Sequence, residues 1–279
     1  MSQFDQNGGD CDSEGLPPSV RRYVYQGKEH FSQILSVERE RLRLSVDLSE
    51  YLLVFIDDST FQNDFVDPDT EPIRGIRCTF NPQTNTLVVK MVTPEHHQVV
   101  KAFDKVVDSA LASMGLDWDT FSYGEVNIKV NGSSKQPDWG LGSRHARPGI
   151  KRRPTVVAEI GISQTRPRLQ REIDLWLDPS RGNVNVAIAI RATRTRPLIT
   201  MDKYEWDHVN GQVQLSQHIE VQESDSGDEV RVSGDPLTIP FDLLFLRHPQ
   251  SPREGDLPIG REGIEEIAKL VWEAQFGAF

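Results

Sequence analysis

An acidic residue inside an apolar segment places the strongest constraint on how this chain can fold. Residues 155–162 are rich in Val and Ile, as a buried strand is, and Glu159 is their one charged residue. A second acid, Asp138, follows Pro137 on the preceding predicted strand. A carboxylate in such a segment is costly to bury unless it is paired, hydrogen-bonded or bound to a metal. Two of them on neighbouring strands predict a site for a hard cation.

Helical and strand periods alternate around these two acids. Apolar residues recur at helical spacing after Pro94, and Gly115 is the predicted stop of that helix. Strands are predicted at 123–130, 137–142 and 155–162, then a helix at 167–177 and a strand at 184–191. The order helix, three strands, helix, strand predicts an α/β protein with a central mixed sheet and an αβββαβ core.

The rest of the chain divides around this core. Residues 1–18 are polar and Gly-rich and predict a disordered tail, and 19–93 predict a helix and hairpin layer. The core spans 94–196, and 197–279 form an extension packed on it. The N-terminal layer contains a helix within 29–45 and a hairpin of 76–80 with 86–92. The extension contains strands at 198–206, 213–221 and 239–246 and a closing helix at 264–276.

Charge is distributed unevenly along the chain. The net charge is −11, but residues 135–196 contain 13 Lys and Arg against 5 Asp and Glu, a net of +8. Positive charge around an acidic pair suits a site that handles phosphodiesters, because the cations hold the backbone and the acids hold a metal. The alternative interpretation is a solvated loop and an ordinary polar helix face. The remainder of the chain is strongly acidic, which leaves room for protein partners on that exterior.

Several classes of protein are disfavoured by the sequence. It has no apolar run of about 18 residues, as a membrane span needs. Its first residues lack the basic and apolar regions of a signal peptide, so we expect an intracellular protein, nuclear or cytoplasmic. The two cysteines, Cys11 and Cys78, are too few for a disulfide framework or a zinc cluster.

These features together resemble the restriction-endonuclease-like, or PD-(D/E)XK, superfamily of nucleases. The resemblance covers about 94–191 and rests on Pro137-Asp138, on Glu159 in the segment 156–161, and on the element order. The pattern at 169–177 and 184–190 is also similar to fungal proteins with such a core. The resemblance implies that Asp138 and Glu159 bind Mg²⁺ or Mn²⁺ and that the substrate is nucleic acid, with DNA the first expectation.

The lysine that the superfamily uses to activate water is missing. It stands two residues after the glutamate, where this sequence has Gly161. Substitutes are Gln164 after a bend, or Arg168 or Arg171 on the following helix, although arginine stays protonated and is a poor general base. Hydrolysis would then depend on the metal alone to activate water, or activity has been lost.

The densest basic cluster falls in the loop predicted between the two acid-bearing strands. We expect this loop to lie beside the acid pair. The predicted nucleic-acid contacts are Arg144, Arg147, Lys151, Arg152 and Arg153 of the loop, together with Arg168 and Arg171. A buried ion pair of Glu159 with Lys135 or Arg171 would, however, leave the same sequence pattern as a metal ligand.

Other residues with ligand chemistry have structural interpretations. His96 and His97 diverge by about 100° on a helix, which favours a surface or capping role over a shared metal. Trp139 alternates to the face opposite Asp138 and is expected in the core. The acid that the superfamily sometimes takes from the first helix would come from Glu95, Asp104 or Asp108, for which a solvent-facing salt bridge is the default.

Three functions remain open from the sequence. The first is a Mg²⁺-dependent nuclease, or a protein derived from one. The second is a catalytically inactive nuclease-like module that binds or scaffolds. The third is a protein-interaction module dominated by its acidic exterior. A lysine within reach of both Asp138 and Glu159 would favour catalysis.

Overall fold

Two large β-sheets and the helices packed on them carry the fold. The computed structural model describes residues 16, 20–44, 49–67, 69, 71, 73–124, 126–130, 132–144, 153–162, 166–224 and 229–277. Its strands are β1 (Arg21–Val24), β2 (Tyr51–Phe55), β3 (Ile76–Asn81), β4 (Thr86–Met91), β5 (Thr120–Ser122), β6 (Ile128–Val130), β7 (Ser133–Lys135), β8 (Trp139–Ser143), β9 (Val156–Gly161), β10 (Val186–Ala192), β11 (Leu198–Asp207), β12 (Gln212–Glu223), β13 (Val230–Ser233), β14 (Leu237–Ile239) and β15 (Leu257–Ile259). Its helices are α1 (Lys28–Leu44), α2 (Asp58–Phe61), α3 (Pro94–Met114), α4 (Arg166–Leu177), α5 (Phe241–Phe245) and α6 (Arg261–Phe276), and a π-helical turn spans Gln62–Val66. The predicted α/β class with a mixed sheet is confirmed.

The first sheet joins the N-terminal strands to a hairpin from the middle of the chain. Its order is β1-β2-β4-β3-β7-β6; β1 runs parallel to β2 and the other pairings are antiparallel. Helix α1 covers one face, where Phe31 and Leu35 pack in one core with Leu52 and Val54. The predicted hairpin is present as β3 and β4, and Asn85 takes the left-handed conformation (φ 51°) that its tight turn requires.

The second sheet contains the predicted core. Its order is β13-β12-β11-β10-β9-β8-β5, with β9 and β10 parallel and the other pairings antiparallel. On one face α3 and α6 bury residues such as Phe103 and Val271 against the strands, and on the other α4 buries Ile173 and Trp176. Within this sheet and its helices, the succession α3, β5, β8, β9, α4, β10 is an αβββαβ order, with β5 in place of the predicted strand 123–130.

Helix α3 has the predicted bounds. The Thr93 side chain caps its first turn by accepting a hydrogen bond from the His96 amide, and Pro94 occupies the first turn, where it needs no amide partner. Gly115 ends the helix in the left-handed conformation, φ 75°. None of the helices in the described ranges is both long and apolar enough to cross a membrane.

Two predicted strands are wrong. The segment 123–130 is not one strand, because Val126 donates to the Tyr123 carbonyl in a turn after β5, and β6 then joins the first sheet through β7. The segment 239–246 is strand only at its first residue. Pro240 (φ −61°) precedes α5, where Phe241, Leu244 and Phe245 fall at helical spacing and are buried. The predicted tail lies outside the described residues except for Leu16.

Candidate active site

The structure brings Asp138 and Glu159 together on adjacent strands. β8 and β9 pair with Trp139 opposite Ala158, so the next residues, Asp138 and Glu159, also face each other. Both are almost fully buried, at 1% and 3% exposure, and both line one cavity. The alternation of strand residues places Trp139 on the other face, where it packs edge-on against Phe103 as a core residue.

Asp138 is held by groups from three elements. Its Oδ2 accepts hydrogen bonds from the Lys90 ammonium of β4 (2.5 Å) and from the Ile160 amide of β9 (2.8 Å). His96 Nε2 of α3 lies 3.0 Å from Asp138 Oδ1. Burial opposes ionisation of Asp138, but Lys90 and His96 together outweigh it, and the pKa of Asp138 lies well below its usual range. Burial lowers the pKa of His96, so its ring is neutral at pH 7.

Glu159 sits in a different balance of charges. Its Oε1 accepts a hydrogen bond from Trp176 Nε1 of α4 (2.5 Å) and lies 3.2 Å from Lys135 Nζ of β7. Burial raises the pKa of Glu159 to about 7; Lys135 opposes the increase, while Asp138 and Glu172 add to it. Neighbouring carboxyls with pKa values pushed apart are a recurrent property of catalytic sites.

A second ion-paired group lies beside Glu159. Glu172 of α4 makes close ion pairs with Lys135 and Arg168, and these charges overcome the effect of burial and bring its pKa to about 2. Arg168 also lies over the Tyr51 ring, with its guanidinium carbon 5.5 Å from the ring centroid. The alternative interpretation that Glu159 pairs with Lys135 is therefore confirmed, and Lys135 is shared with Glu172.

The cavity that these residues enclose is small and highly charged. Its volume is about 10 Å³, which is room for about one water molecule. Charged residues line it from both sheets and from α4: Arg77, Lys90, Lys135, Asp138, Glu159, Arg168 and Glu172. Lys90 and Lys135 belong to the first sheet, whereas the two predicted metal ligands belong to the second. The first sheet therefore closes the site.

Asp138 and Glu159 offer carboxylate oxygens, the ligand type that Mg²⁺ prefers. Asp138 Oδ1 is buried, and His96 Nε2 is not aligned to donate a hydrogen bond to it, so a cation would satisfy an oxygen that lacks a donor. Mg²⁺ is commonly bound by one or two carboxylates together with water and substrate phosphate, which is what this pair offers. Within the described ranges, no group of three or more His, Cys, Asp or Glu is arranged to hold a metal.

Of the predicted basic contacts that the structure describes, Arg168 lines the cavity, whereas Arg144, Arg153 and Arg171 do not. Gln164, Arg147, Lys151 and Arg152 lie outside the described residues. Arg144 and Arg153 lie at the ends of β8 and β9 that point away from Asp138, six residues or about 20 Å along the strand. Arg144 and Arg153 are therefore not beside the acid pair, because they lie at the ends of the two antiparallel strands opposite to Asp138 and Glu159.

The two arginines predicted on α4 have different positions. Arg168 is in the cavity but is 2% exposed and paired with Glu172, so nucleic acid cannot reach it in this conformation. Arg171 is half-buried and is not among the cavity-lining residues in the described part of the chain. Of the acids proposed from the first helix, Asp104 differs from the expected solvent-facing salt bridge, because it accepts a hydrogen bond from Trp139 Nε1 (2.7 Å).

Sequence reasoning missed Lys90, His96 and Glu172. Lys90 could have been found by the argument that identified Glu159, because it is the one charged residue of an apolar strand. All six residues of that strand are buried. His96 was expected at the surface or as a cap, but it is fully buried against Asp138. Glu172 falls among alternating basic and apolar residues of α4, a pattern that does not distinguish it from a solvent-facing acid.

Comparison with known proteins assigns no family. No family model matches the chain, and no curated protein matches it. Among solved structures, a crystal structure from Anabaena variabilis described as a "putative nuclease belonging to DUF820" is similar, with 13% sequence identity and a TM-score of 0.38. The similarity covers 70% of this chain and 90% of that one. A similarity of this size assigns neither fold nor function.

Proposed function

We propose that the protein is a metal-dependent nuclease that hydrolyses phosphodiester bonds and that DNA is its first expected substrate. The lysines of this site belong to the first sheet. One observation carries the proposal. Asp138 and Glu159 face one cavity, and a lysine ammonium contacts each of them, Lys90 at 2.5 Å and Lys135 at 3.2 Å. The amine that Gly161 cannot supply is therefore available from elsewhere in the fold.

Asp138 and Glu159 would hold Mg²⁺ or Mn²⁺. When bound, the cation supplies Lewis acidity towards the phosphoryl oxygen and the attacking water. Because the pKa of Glu159 is raised to about 7 by burial, a proton and a cation compete for this carboxylate near neutral pH. Asp138, with its low pKa, is ionised throughout that range.

The two lysines act by charge and not as bases. Burial lowers the pKa values of both lysines, but the facing carboxylates raise them by more than burial lowers them. The pKa of Lys90 lies well above its usual range, and both lysines stay protonated at pH 7. Ammonium groups at these positions would bind the scissile phosphate and stabilise the charge that develops on its oxygens. Proton transfer from the attacking water is then left to solvent, because Glu159 would hold the cation and both lysines stay protonated.

Substrate binding requires the cavity to widen. Its volume of about 10 Å³ excludes a phosphodiester, and the groups that close it are Tyr51, Thr79 and Lys90 of the first sheet. When a phosphate enters, it can replace the carboxylates as the partner of Lys90 and Lys135, which would release Asp138 and Glu159 for the cation.

The test combines cleavage with metal binding. Single-stranded and duplex DNA and RNA are incubated with Mg²⁺ or Mn²⁺ and wild type, D138N, K90M or K135M. Calorimetric titration of each protein with Mn²⁺ follows. Because Lys101 is exposed on α3, K101M is the matched control for a lost lysine charge. We expect metal-dependent cleavage by wild type and K101M, and none by the other three. Full activity in D138N would exclude this site.

An inactive nuclease-like module that binds nucleic acid is the second candidate. It is favoured by the pairing of each carboxylate with a lysine and by the lack of a three-ligand metal group among the described residues. In that case wild type binds oligonucleotides but shows no Mn²⁺-binding heat and no cleavage on any substrate.

A further inference from the structure

Three arginines lie at the edge of the second sheet where Glu159 is found. Arg191 of β10 pairs with Gly161 of β9, two residues beyond Glu159. Because β9 and β10 are parallel, both end at this edge. Arg194 follows the end of β10, and Arg166 begins the helix that follows β9. We call Arg166, Arg191 and Arg194 the arginine edge.

Electrostatic contacts connect the arginine edge with the site. The carboxyl of Glu50, fully buried beside the site, is surrounded by the charges of Lys90, Asp138 and Arg194. Arg166 and Arg191 both act on the Tyr204 hydroxyl of β11, as do the carboxylates of Asp174 and Asp202. Arg194 therefore acts on the Asp138 side of the cavity, and Arg166 and Arg191 act towards β11.

The positive charge of the arginine edge is not neutralised by ion pairs. Within the described ranges no carboxylate forms an ion pair with Arg166, Arg191 or Arg194, and Arg194 Nε has no hydrogen-bond partner there. The neighbouring acid Asp202 is instead bound to His218. Arg166 is exposed, and Arg191 and Arg194 are half-buried, so their charges are accessible to an anion at this edge.

Arg144 and Arg153, at the other ends of β8 and β9, make local contacts. Arg144 donates a hydrogen bond to the Trp118 carbonyl (3.2 Å). Arg153 approaches the Asn183 side chain, with 2.6 and 2.8 Å contacts when the amide is oriented to accept. Arg144 lies about 20 Å from Asp138 along β8, and Arg153 lies about as far from Glu159 along β9.

We propose that the arginine edge binds the phosphodiester backbone of a nucleic acid and leads it to the Asp138–Glu159 cavity. This inference rests on the proposed function for its substrate class, but the binding step needs neither metal nor catalysis. Two acids of β12 also lie nearby, Glu220 opposite Thr200 and Glu223 at the end of the strand. We therefore expect the partner to be a single nucleic-acid strand that follows the three arginines, and not a broad polyanionic surface.

The experiment compares two charge-neutralised variants of the full chain. Anisotropy of a fluorescein-labelled oligothymidylate, and of a labelled duplex, is measured in EDTA between about 50 and 200 mM NaCl. The triple variant R166Q/R191Q/R194Q should bind at least about tenfold more weakly, with a single-strand salt slope smaller by about 2, because three phosphate contacts no longer release counterions. The matched control R144Q/R153Q should bind as wild type does. Thermal unfolding checks both folds.

The outcomes separate this inference from the proposed function. Equal weakening in both variants, unchanged binding by the triple variant, or a wild type that does not bind overturns the arginine edge, even if the protein cleaves DNA. Weakened binding in the triple variant alone supports it, even if wild type never cleaves. Should the triple variant fail to fold, R191Q and the charge-preserving R191K are compared; weaker binding must appear in R191Q and be restored in R191K.

Discussion

Lys90 Nζ lies 2.5 Å from Asp138 Oδ2 and also 2.5 Å from the Ile160 carbonyl oxygen, so a single ammonium group of the first sheet is bound to two adjacent strands of the second. This contact connects residues 48 and 70 positions apart in sequence. It closes the cavity and neutralises the carboxylate on which the proposed activity depends. The same interaction therefore affects stability, access and charge.

Loss of the Lys90 charge should destabilise the protein strongly. K90M leaves Asp138 buried without its ammonium partner, which typically costs about 3–5 kcal/mol. D138N/K90M should recover much of that loss, because the amide carries no charge to bury. Urea unfolding of the two single variants and the double variant gives the coupling energy. K101M, on the exposed face of α3, should stay within about 0.5 kcal/mol of wild type.

Stability should fall as pH rises through the pKa of Glu159. Burial raises this pKa from 4.5 to about 7, so the folded state binds the extra proton; the stabilisation is complete below pH 4.5 and is lost as pH rises through 7. In EDTA, wild type should therefore lose about 2–3 kcal/mol relative to E159Q between about pH 5 and pH 8. Urea unfolding across this range measures the difference.

Glu50 requires its own control in that experiment. Burial also raises the pKa of Glu50 to about 7, so E50Q should reduce the pH dependence in the same direction. The two effects are separated by E50Q/E159Q, which should show less pH dependence than either single variant. If the difference in free energy of unfolding between wild type and E159Q stays constant from about pH 5 to pH 8, the pKa of Glu159 is not raised.

Cation affinity should increase with pH. Because the cation needs the ionised carboxylate and Glu159 has a pKa of about 7, the apparent Mn²⁺ affinity should increase about tenfold between about pH 6 and pH 8. Calorimetry in two buffers of different ionisation enthalpy should show proton release near pH 7. D138N should abolish the binding heat at both pH values. A pH-independent affinity would exclude Glu159 as a ligand.

The Trp176 indole should tune this titration. Its Nε1 donates to Glu159 Oε1 at 2.5 Å, and a donor to the ionised form lowers the pKa of a carboxyl. In W176F, we expect the pH at which Mn²⁺ binding is half-maximal to move upwards, together with a loss of about 1–3 kcal/mol of stability. The exposed Trp118 provides the control W118F, which should change neither quantity. A downward move of the midpoint would count against the role of Trp176.

The local pattern of the sequence was sufficient for the core and for the acid pair. Helical spacing, Pro94 and Gly115 predicted α3, and strand alternation predicted β8, β9 and the opposite faces of Asp138 and Trp139. Adjacent strands joined by one loop have few ways to pair, so Asp138 and Glu159 were predictable as neighbours. The direction of the same hairpin would also have placed Arg144 and Arg153 away from the site.

The partners of the acid pair were decided only by the tertiary structure. Lys90 reaches Asp138, and Lys135 reaches both Glu159 and Glu172, because the first sheet packs across the ends of β8 and β9. His96 of α3 is fully buried and lies 3.0 Å from Asp138. Periodicity reports which face of one element is buried, since it arises from the backbone geometry of neighbouring residues. It carries no information on which distant charge contacts that face, because that contact depends on how whole sheets pack together. In this protein the packing of the two sheets determines the charge of the site, its accessibility and its proposed chemistry.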